Sequence, residues 1–469
     1  MLLSASWLHR PAGESGTMRA RRDHHHRRAR SLILGIGIGL LSTTPVPIAA
    51  QGISQPLAPG TGVPDEPLPL EQEQPAPKYS WDTNLTGDWG GLRNTLSDHG
   101  FEVELGYAME FMANPVGGES QGSTYVHNIL LAIDLDLEKL VGLPNSAFRV
   151  SGSQRSGNSL SNDHIGNAFS VQQLYGGGQT WRLVEVEMQH DLFDDHLNLA
   201  YGRLIATNDF LTSPLYCQFV SNAICGQPPS PFFNMPDGIT AYPGAVWAVR
   251  ARVNPTKDTY LQVGVYDGDA DQEGRNDHGT NFSFGSNGVL VLTEAGYKPD
   301  QGLLGLPAAY KIGGYYHTGN FDDVDGVRRR SDNSGLYTLV DQMLYREDPK
   351  DTQGLYGFFV FVAAPELNRN TFPYFVSGGL IYEGLIDARP KDKAGFAVAS
   401  GFYSQDLRQA QRDNDVPRQY AETILEINYQ YQVTQFLYFR PNIQYVANPS
   451  GYDDIDNAVV IGFEAGLTF

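Results

Sequence analysis

The sequence contains no run of the roughly 18 apolar residues that a membrane-spanning helix requires. Its one compact apolar stretch, Leu32–Leu41, is about half that length. Positive charge is scarce: 33 Lys and Arg stand against 53 Asp and Glu, a net charge of −20. That balance argues against a nucleic-acid partner, whose phosphates need a basic surface. Only two cysteines occur, Cys217 and Cys225, with no second pair and no adjacent histidine to make a metal or redox centre. Charged residues in total are just 18%, too few for a highly solvated surface of ordinary type, while Gly (51) and Tyr (25) abound. From Phe101 onward no long helical periodicity is present.

What is present is alternation. At the end of the sequence, Ile461, Phe463, Ala465, Leu467 and Phe469 share one side, and Gly462, Glu464, Gly466 and Thr468 the other. A side-chain period of two means an extended strand with one apolar and one polar or small face. The pattern repeats along the chain and predicts 16 strands: 101–112, 124–136, 146–156, 179–190, 196–205, 244–254, 258–267, 288–298, 307–317, 335–346, 353–364, 373–383, 394–404, 419–432, 434–446 and 457–469. Links from odd to even strands are mostly long (157–178, 206–243, 268–287, 318–334). Links from even to odd strands are mostly short (191–195, 255–257). An even strand count with loops sorted by side is the pattern of a transmembrane antiparallel up-and-down β-barrel of the outer membrane.

The N-terminal region fits export. An Arg-rich stretch, Arg19–Arg30, precedes the apolar run, and small residues follow at Ala49 and Ala50. This reads as a signal peptide over 1–50, with Met18 as an alternative start. Its removal takes away seven Arg and two acidic residues, so the mature net charge becomes −25. The His24–His26 triplet falls within that discarded segment. Residues 51–80 are rich in Pro, Gln and Glu without periodicity, and read as a disordered linker. A short helix is expected within 81–100, N-capped by Thr86 or Asp88 and ending at Gly100. Residues 81–469 then form the barrel domain. In an exported chain, a local Cys217–Cys225 disulfide is the expectation.

A barrel of about 16 strands is too wide for its own side chains to fill and holds an aqueous channel. The longest loop, 206–243, is the candidate to fold inward and narrow it. Alternation assigns the lumen-facing side chains. Arg250 and Arg252 oppose Trp247, Val249, Ala251 and Val253, and an arginine facing lipid at mid-membrane would cost roughly 2–4 kcal/mol. By the same logic Arg440, Glu102, Glu104, Glu185, Glu187, Glu426, Tyr260, Tyr266 and Tyr315 face the lumen. Charged groups hydrogen-bond hydroxyls and aromatic rings stack on sugar C–H faces, so this wall suits neutral polyols. The plainer alternative is that the charges pair across the lumen and keep it wet.

The segment Leu85-Thr86-Gly87-Asp88-Trp89-Gly90-Gly91-Leu92-Arg93 resembles the opening signature of the OprB-type carbohydrate-selective porins of Gram-negative outer membranes. LDLEKLVGLP at 135–144, VYDGDAD at 265–271, YTLVDQMLYRE at 337–347 and the terminal GFEAGLTF are also similar to that family, over roughly 81–469. The resemblance implies a 16-stranded barrel that admits glucose and other sugars by diffusion through a constriction with basic and aromatic residues. It matches Asp88, Trp89 and Arg93 to the opening motif and Asp341 and Gln342 to a DQ motif.

Other candidate sites fall short. Asp267-x-Asp269-x-Asp271 begins like a calcium loop, but Gln272 and His278 stand where an EF-hand needs Gly and Glu. An outer-membrane hydrolase would need a nucleophile–base pair at the membrane edge; His127, His190 and His317 are the histidines available to it. No metal, cofactor or catalytic residue is assigned. The expected partners are small carbohydrates and outer-membrane lipid and lipopolysaccharide. A monomer and a homotrimer fit equally, and general small-solute diffusion is the alternative function.

Overall fold

Alternation on this scale gives each strand one face for lipid and one for the lumen, and closing the sheet leaves no unpaired edge. A computed structural model of the protein describes residues 79–236, 238–270, 278–349 and 351–469. The expected signal peptide and all but the last two residues of the expected linker lie outside the described residues. Sixteen antiparallel strands close into one barrel in simple sequence order, with β1 pairing β16. They are β1 (Phe101–Val116), β2 (Ser123–Asp136), β3 (Ser146–Gly157), β4 (Trp181–Leu192), β5 (Leu197–Leu204), β6 (Val246–Thr256), β7 (Thr259–Asp267), β8 (Val289–Tyr297), β9 (Ala308–Asp322), β10 (Arg329–Arg346), β11 (Gly354–Ala363), β12 (Tyr374–Glu383), β13 (Lys393–Phe402), β14 (Ala421–Thr434), β15 (Leu437–Ala447) and β16 (Ala458–Thr468). Short helices lie in the segments before and between the strands: α1 (Leu92–Asp98), α2 (Leu137–Val141), α3 (Ala206–Asp209), α4 (Ser230–Phe233) and α5 (Gln405–Asp413). No described helix is long and apolar enough to cross a membrane.

The outward face carries the exposed apolar side chains that the alternation predicts. Phe111, Val249, Val263, Ile312, Phe359 and Ile427 are each more than a third exposed, while their strand neighbours Glu110, Arg250, Gln262, Lys311, Phe358 and Glu426 are buried on the inner side. Only lipid makes such a band favourable, since in water each exposed chain would lose its transfer free energy of about 1.5–3 kcal/mol.

All 16 expected strands are found, with their ends shifted by up to six residues, most at the β9–β10 connection. Strands β9 and β10 run on past the expected limits, so the loop between them is 323–328 rather than 318–334. The reason lies on the outward side, where Thr318, Asn320 and Asp322 are exposed while His317, Gly319 and Phe321 stay buried. The ladder continues above the lipid, where its outer face turns polar and reads as loop. The N-terminal helix begins at Leu92, with Gly91 at φ +91 as its N-cap. Neither Thr86 nor Asp88 caps it: Asp88 Oδ1 accepts from Gly90 N and Thr86 Oγ1 accepts from Trp89 Nε1.

Candidate functional site

The lumen is occupied by two loops rather than one. The expected loop, 206–243, spans 205–245 between the observed strands and folds inward as α3 and α4 and the turns around them, burying Phe210, Phe219, Val220, Ile224 and Ile239. Loop 158–180, between β3 and β4, folds inward as well and buries Leu160, Ile165, Phe169 and Val171 in the same cluster. Phe169 packs against Phe372 at 4.9 Å and edge-on against Phe375 at 5.9 Å. The sequence signal for this second plug is its apolar content, Leu160, Ile165, Phe169, Val171 and Leu174, in a connection long enough to reach the barrel interior. Cys217 and Cys225 are joined, which pins the tip of the longer loop.

Backbone N–H groups brought into a barrel lose water and must find acceptors, and wall carboxylates supply them. Glu422 accepts from Ala168 N (2.7 Å), Phe169 N (2.8 Å) and Ser450 N (2.6 Å). Glu426 accepts from Val220 N (2.9 Å), Ser221 N (2.8 Å) and Asn428 Nδ2 (2.9 Å). Glu294 accepts from Leu211 N and from the hydroxyls of Tyr260 and Tyr337 at 2.6 and 2.9 Å. Glu426, placed in the lumen by alternation, therefore holds the constricting loop.

On β1–β4 the charges instead hold one another. The buried Arg149 guanidinium reaches Asp134 at 2.8 Å, Glu185 at 3.2 Å and Glu104 at 3.4 Å. Glu187 is buried on the same face and accepts from Gln189. Glu102, lower on β1, is exposed and accepts from Ser97 Oγ. Arg149, Asp134 and Arg155 are absent from the residues singled out from sequence, although Arg149, Ser151, Ser153 and Arg155 show the same alternation.

The arginines assigned to the lumen are all on its face. Arg250 is fully buried, 3.2 Å from Asp209 of the long loop and hydrogen-bonded to Asn198, with Nη2 lacking a partner among the described residues. Arg252 stacks over the Tyr260 ring at 4.0 Å and donates to Asn254. Arg440 bonds Glu464 at 2.9 Å and Gln430, and lies 5.0 Å from the Tyr438 ring. The tyrosines lie flat on glycines of the next strand. A Cβ at Gly296 would sit 1.9 Å from the Tyr260 ring, and one at Gly335 2.4 Å from Tyr315. Removing side chains there lets a ring cover the sheet at van der Waals distance. Tyr266 is buried on the same inner face.

A closed 16-strand barrel with an apolar outer band, a charged and aromatic inner wall and inward loops has counterparts among known proteins. Residues 120–469 match the family model described as carbohydrate-selective porin, OprB family. The chain is 32% identical over 432 residues to Porin B of Pseudomonas aeruginosa, covering 84% of this chain and 92% of that protein. The high-pH structure of Pseudomonas putida OprB is 30% identical with a TM-score of 0.78, covering 84% and 99%. The low-pH structure is 25% identical with a TM-score of 0.56, covering 83% and 99%. The chain belongs to the OprB family of carbohydrate-selective porins. It is thus an outer-membrane porin of the Gram-negative type.

In this porin the opening signature forms a clasp at the end of the barrel away from the long loops. Arg93 donates to Phe469 O at 2.6 Å and to Val103 O at 2.8 Å, with its guanidinium 3.7 Å from the Tyr79 ring and 5.1 Å from Trp89. Asn84 also donates to Phe469 O, and Leu85 N to Thr468 O. Asn84, Leu85 and Arg93 thus tie the N-terminal segment across the β1–β16 seam, while Asp88 and Trp89 bond within the segment itself. In that seam Glu110 stands directly opposite Glu464. The inward loop meets both carboxylates: Leu174 N donates to Glu110 and Gln173 Nε2 to Glu464 at 3.0 Å. The DQ pair divides its work. Asp341 is buried on the inner face, while Gln342 donates to Leu306 O and Pro307 O and accepts from Tyr310, fastening a short turn.

The remaining candidates are not drawn together. Asp267 accepts from Asp269 N and Gly285 N, Asp271 lies outside the described residues, and no group of three metal-ligating side chains occurs among the described residues. His127 bonds Gln154, His190 bonds Ser146 and Tyr201, and His317 bonds Gly268 O. Sequence reasoning passed over Gly118-Glu119-Ser120-Gln121-Gly122, which has G-x-S-x-G spacing, and Ser120 Oγ lies 3.0 Å from His164 Nδ1. The motif sits in the β1–β2 hairpin with no helix after it, so it lacks the strand–turn–helix that presents a nucleophile.

Proposed function

We propose that this porin passes small neutral carbohydrates, glucose among them, by passive diffusion along a water-lined path narrowed by loops 158–180 and 205–245, and that it is a channel and not an enzyme. The observation that carries this reading is the inner wall itself, where guanidinium and carboxylate groups alternate with tyrosine rings held flat. Hydroxyl groups of a sugar can exchange hydrogen bonds with such charges, while its C–H faces slide over the rings. Arg250, buried against Asp209 of the inward loop, is the residue we place behind the narrowest point, where it holds that loop to the wall, with Arg252 and Tyr260 below it. Residues 1–50 we read as a cleaved signal and 51–80 as a linker ahead of the barrel domain.

Proteoliposome swelling tests this. Glucose should enter faster than a neutral non-sugar solute of equal size and faster than a disaccharide, and Arg250→Ala should remove much of that preference. Rates that follow solute size alone would instead support a general diffusion porin. Absence of swelling with all solutes would sink the channel reading.

A further inference from the structure

The loop between β13 and β14 carries helix α5, whose sequence puts Leu407 and Gln411 on the buried side and Gln405, Arg408, Gln409 and Arg412 on the other. The open side of the helix, together with Arg418 and Tyr420, lines a cleft of about 390 Å³. Three arginines meet there in a chain whose net charge is −20. The Arg408 and Arg418 guanidinium groups lie 5.6 and 5.9 Å from the Tyr420 ring, which steadies both on one aromatic floor. Arg408 also donates to Tyr403 O, and Arg412 to Gln409.

The contrast with other loops on the same end of the barrel is informative. There Arg329, Arg330 and Arg369 each sit on an aspartate: Asp322, Asp323 and Asp332. None of Arg408, Arg412 and Arg418 makes an ion pair with a described carboxylate. Asp406 is the one acidic residue in the lining, and its backbone N–H donates to Oγ of Ser404, the N-cap of the helix. Three unneutralised guanidinium forks, two carboxamides and a ring form a set that binds phosphate bidentately and stacks on a sugar.

We propose that this cleft binds a phosphorylated saccharide, and that its occupant is the phosphorylated inner sugar region of lipopolysaccharide in the surrounding outer leaflet. The site lies on the side of the long loops, which in an outer-membrane barrel is the outer side. Neutral sugars crossing the pore would have no use for three forks of one sign. The inference rests on the outer-membrane porin reading but not on sugar selectivity.

The test uses the full-length protein purified in detergent and titrated with fluorescent deep-rough lipopolysaccharide, wild type against the triple variant Arg408→Gln, Arg412→Gln, Arg418→Gln. The variant should bind about tenfold or more weakly, as expected when charge-assisted hydrogen bonds to phosphate are lost. Inorganic pyrophosphate should compete with the wild type. Glucose-driven swelling should be unchanged, which separates this site from the pore. Equal lipopolysaccharide affinity in both proteins would overturn the proposal. So would unchanged affinity combined with slower uptake of galacturonate, which would make the cleft a collector of acidic solutes. Should the triple variant fail to fold, Arg412→Gln alone, at an exposed position, carries the same comparison; there a drop in affinity supports the site and an unchanged value overturns it.

Discussion

Two stretches of the inner wall use glutamate in opposite ways. On β1–β4, Glu104 and Glu185 join Asp134 around the single Arg149, so the carboxylates are held chiefly by a wall side chain, with one bond to Glu185 from Asn208 of the long loop. On β14, Glu422 and Glu426 turn to the backbone of loops from elsewhere in the chain, at separations of 254 and 206 residues for Ala168 and Val220. The first arrangement stiffens the wall. The second fixes what blocks the lumen. A carboxylate with several N–H donors has two oxygens and a formal charge to offer a loop that has no ladder of its own, and such charge-assisted bonds are about twice as strong as neutral ones. The same residue type therefore acts as wall brace in one place and loop clamp in another, and only the pairing partner tells them apart.

The contrast can be broken from either side. The largest effect is expected from Glu426→Ala, which orphans the buried N–H groups of Val220 and Ser221; each unsatisfied donor costs about 1–3 kcal/mol. The long loop should leave the lumen, single-channel conductance should rise severalfold, and a disaccharide should pass nearly as fast as glucose. Glu426→Gln keeps one acceptor and should fall between. Arg149→Met should leave three carboxylates crowded without their cation. Because breaking a buried pair costs about 3–5 kcal/mol, the heat-resistant mobility of the folded barrel should fall to a lower temperature, with less change in solute size limit than Glu426→Ala causes. Arg93→Ala removes two hydrogen bonds from the clasp, each of the roughly 1.5–3 kcal/mol class for a charged donor. It should lower unfolding temperature while leaving glucose swelling as it was. The smallest effect is expected from Cys217→Ser with Cys225→Ser, since Glu426 and Asn428 already hold residues 218–221 of the same loop. Swelling rates there should stay within about twofold, a few tenths of a kcal/mol.

The wall was legible because alternation is imposed by lipid along the whole strand. Arg250, Arg252, Arg440 and Glu426 could be placed inward by counting from Val249, Phe439 and Ile427, and all four are there. The same counting could have found Arg149 and Glu110. What counting could not supply is who meets whom inside the barrel. That Glu426 faces Val220, or that loop 158–180 joins the plug, depends on packing between segments hundreds of residues apart, and no periodicity encodes it. The DQ pair shows the limit within two residues: Asp341 follows the alternation, while Gln342, on the outward parity, is turned to a nearby turn by three carbonyl contacts.

The Glu110–Glu464 pairing has a consequence for the order in which the molecule is made. Directly opposed like charges across two strands are unfavourable, and here they fall on the one seam that must join the first strand to the last. Arg440 relieves Glu464, but Glu110 gains its contact with Leu174 only when loop 158–180 has come inside. With the loop still outside, water in the open lumen solvates both carboxylates; the loop's entry strips that water and leaves the donors of Gln173 and Leu174 in its place. Seam first and plug second is then the order that keeps the opposed carboxylates wet while the join forms.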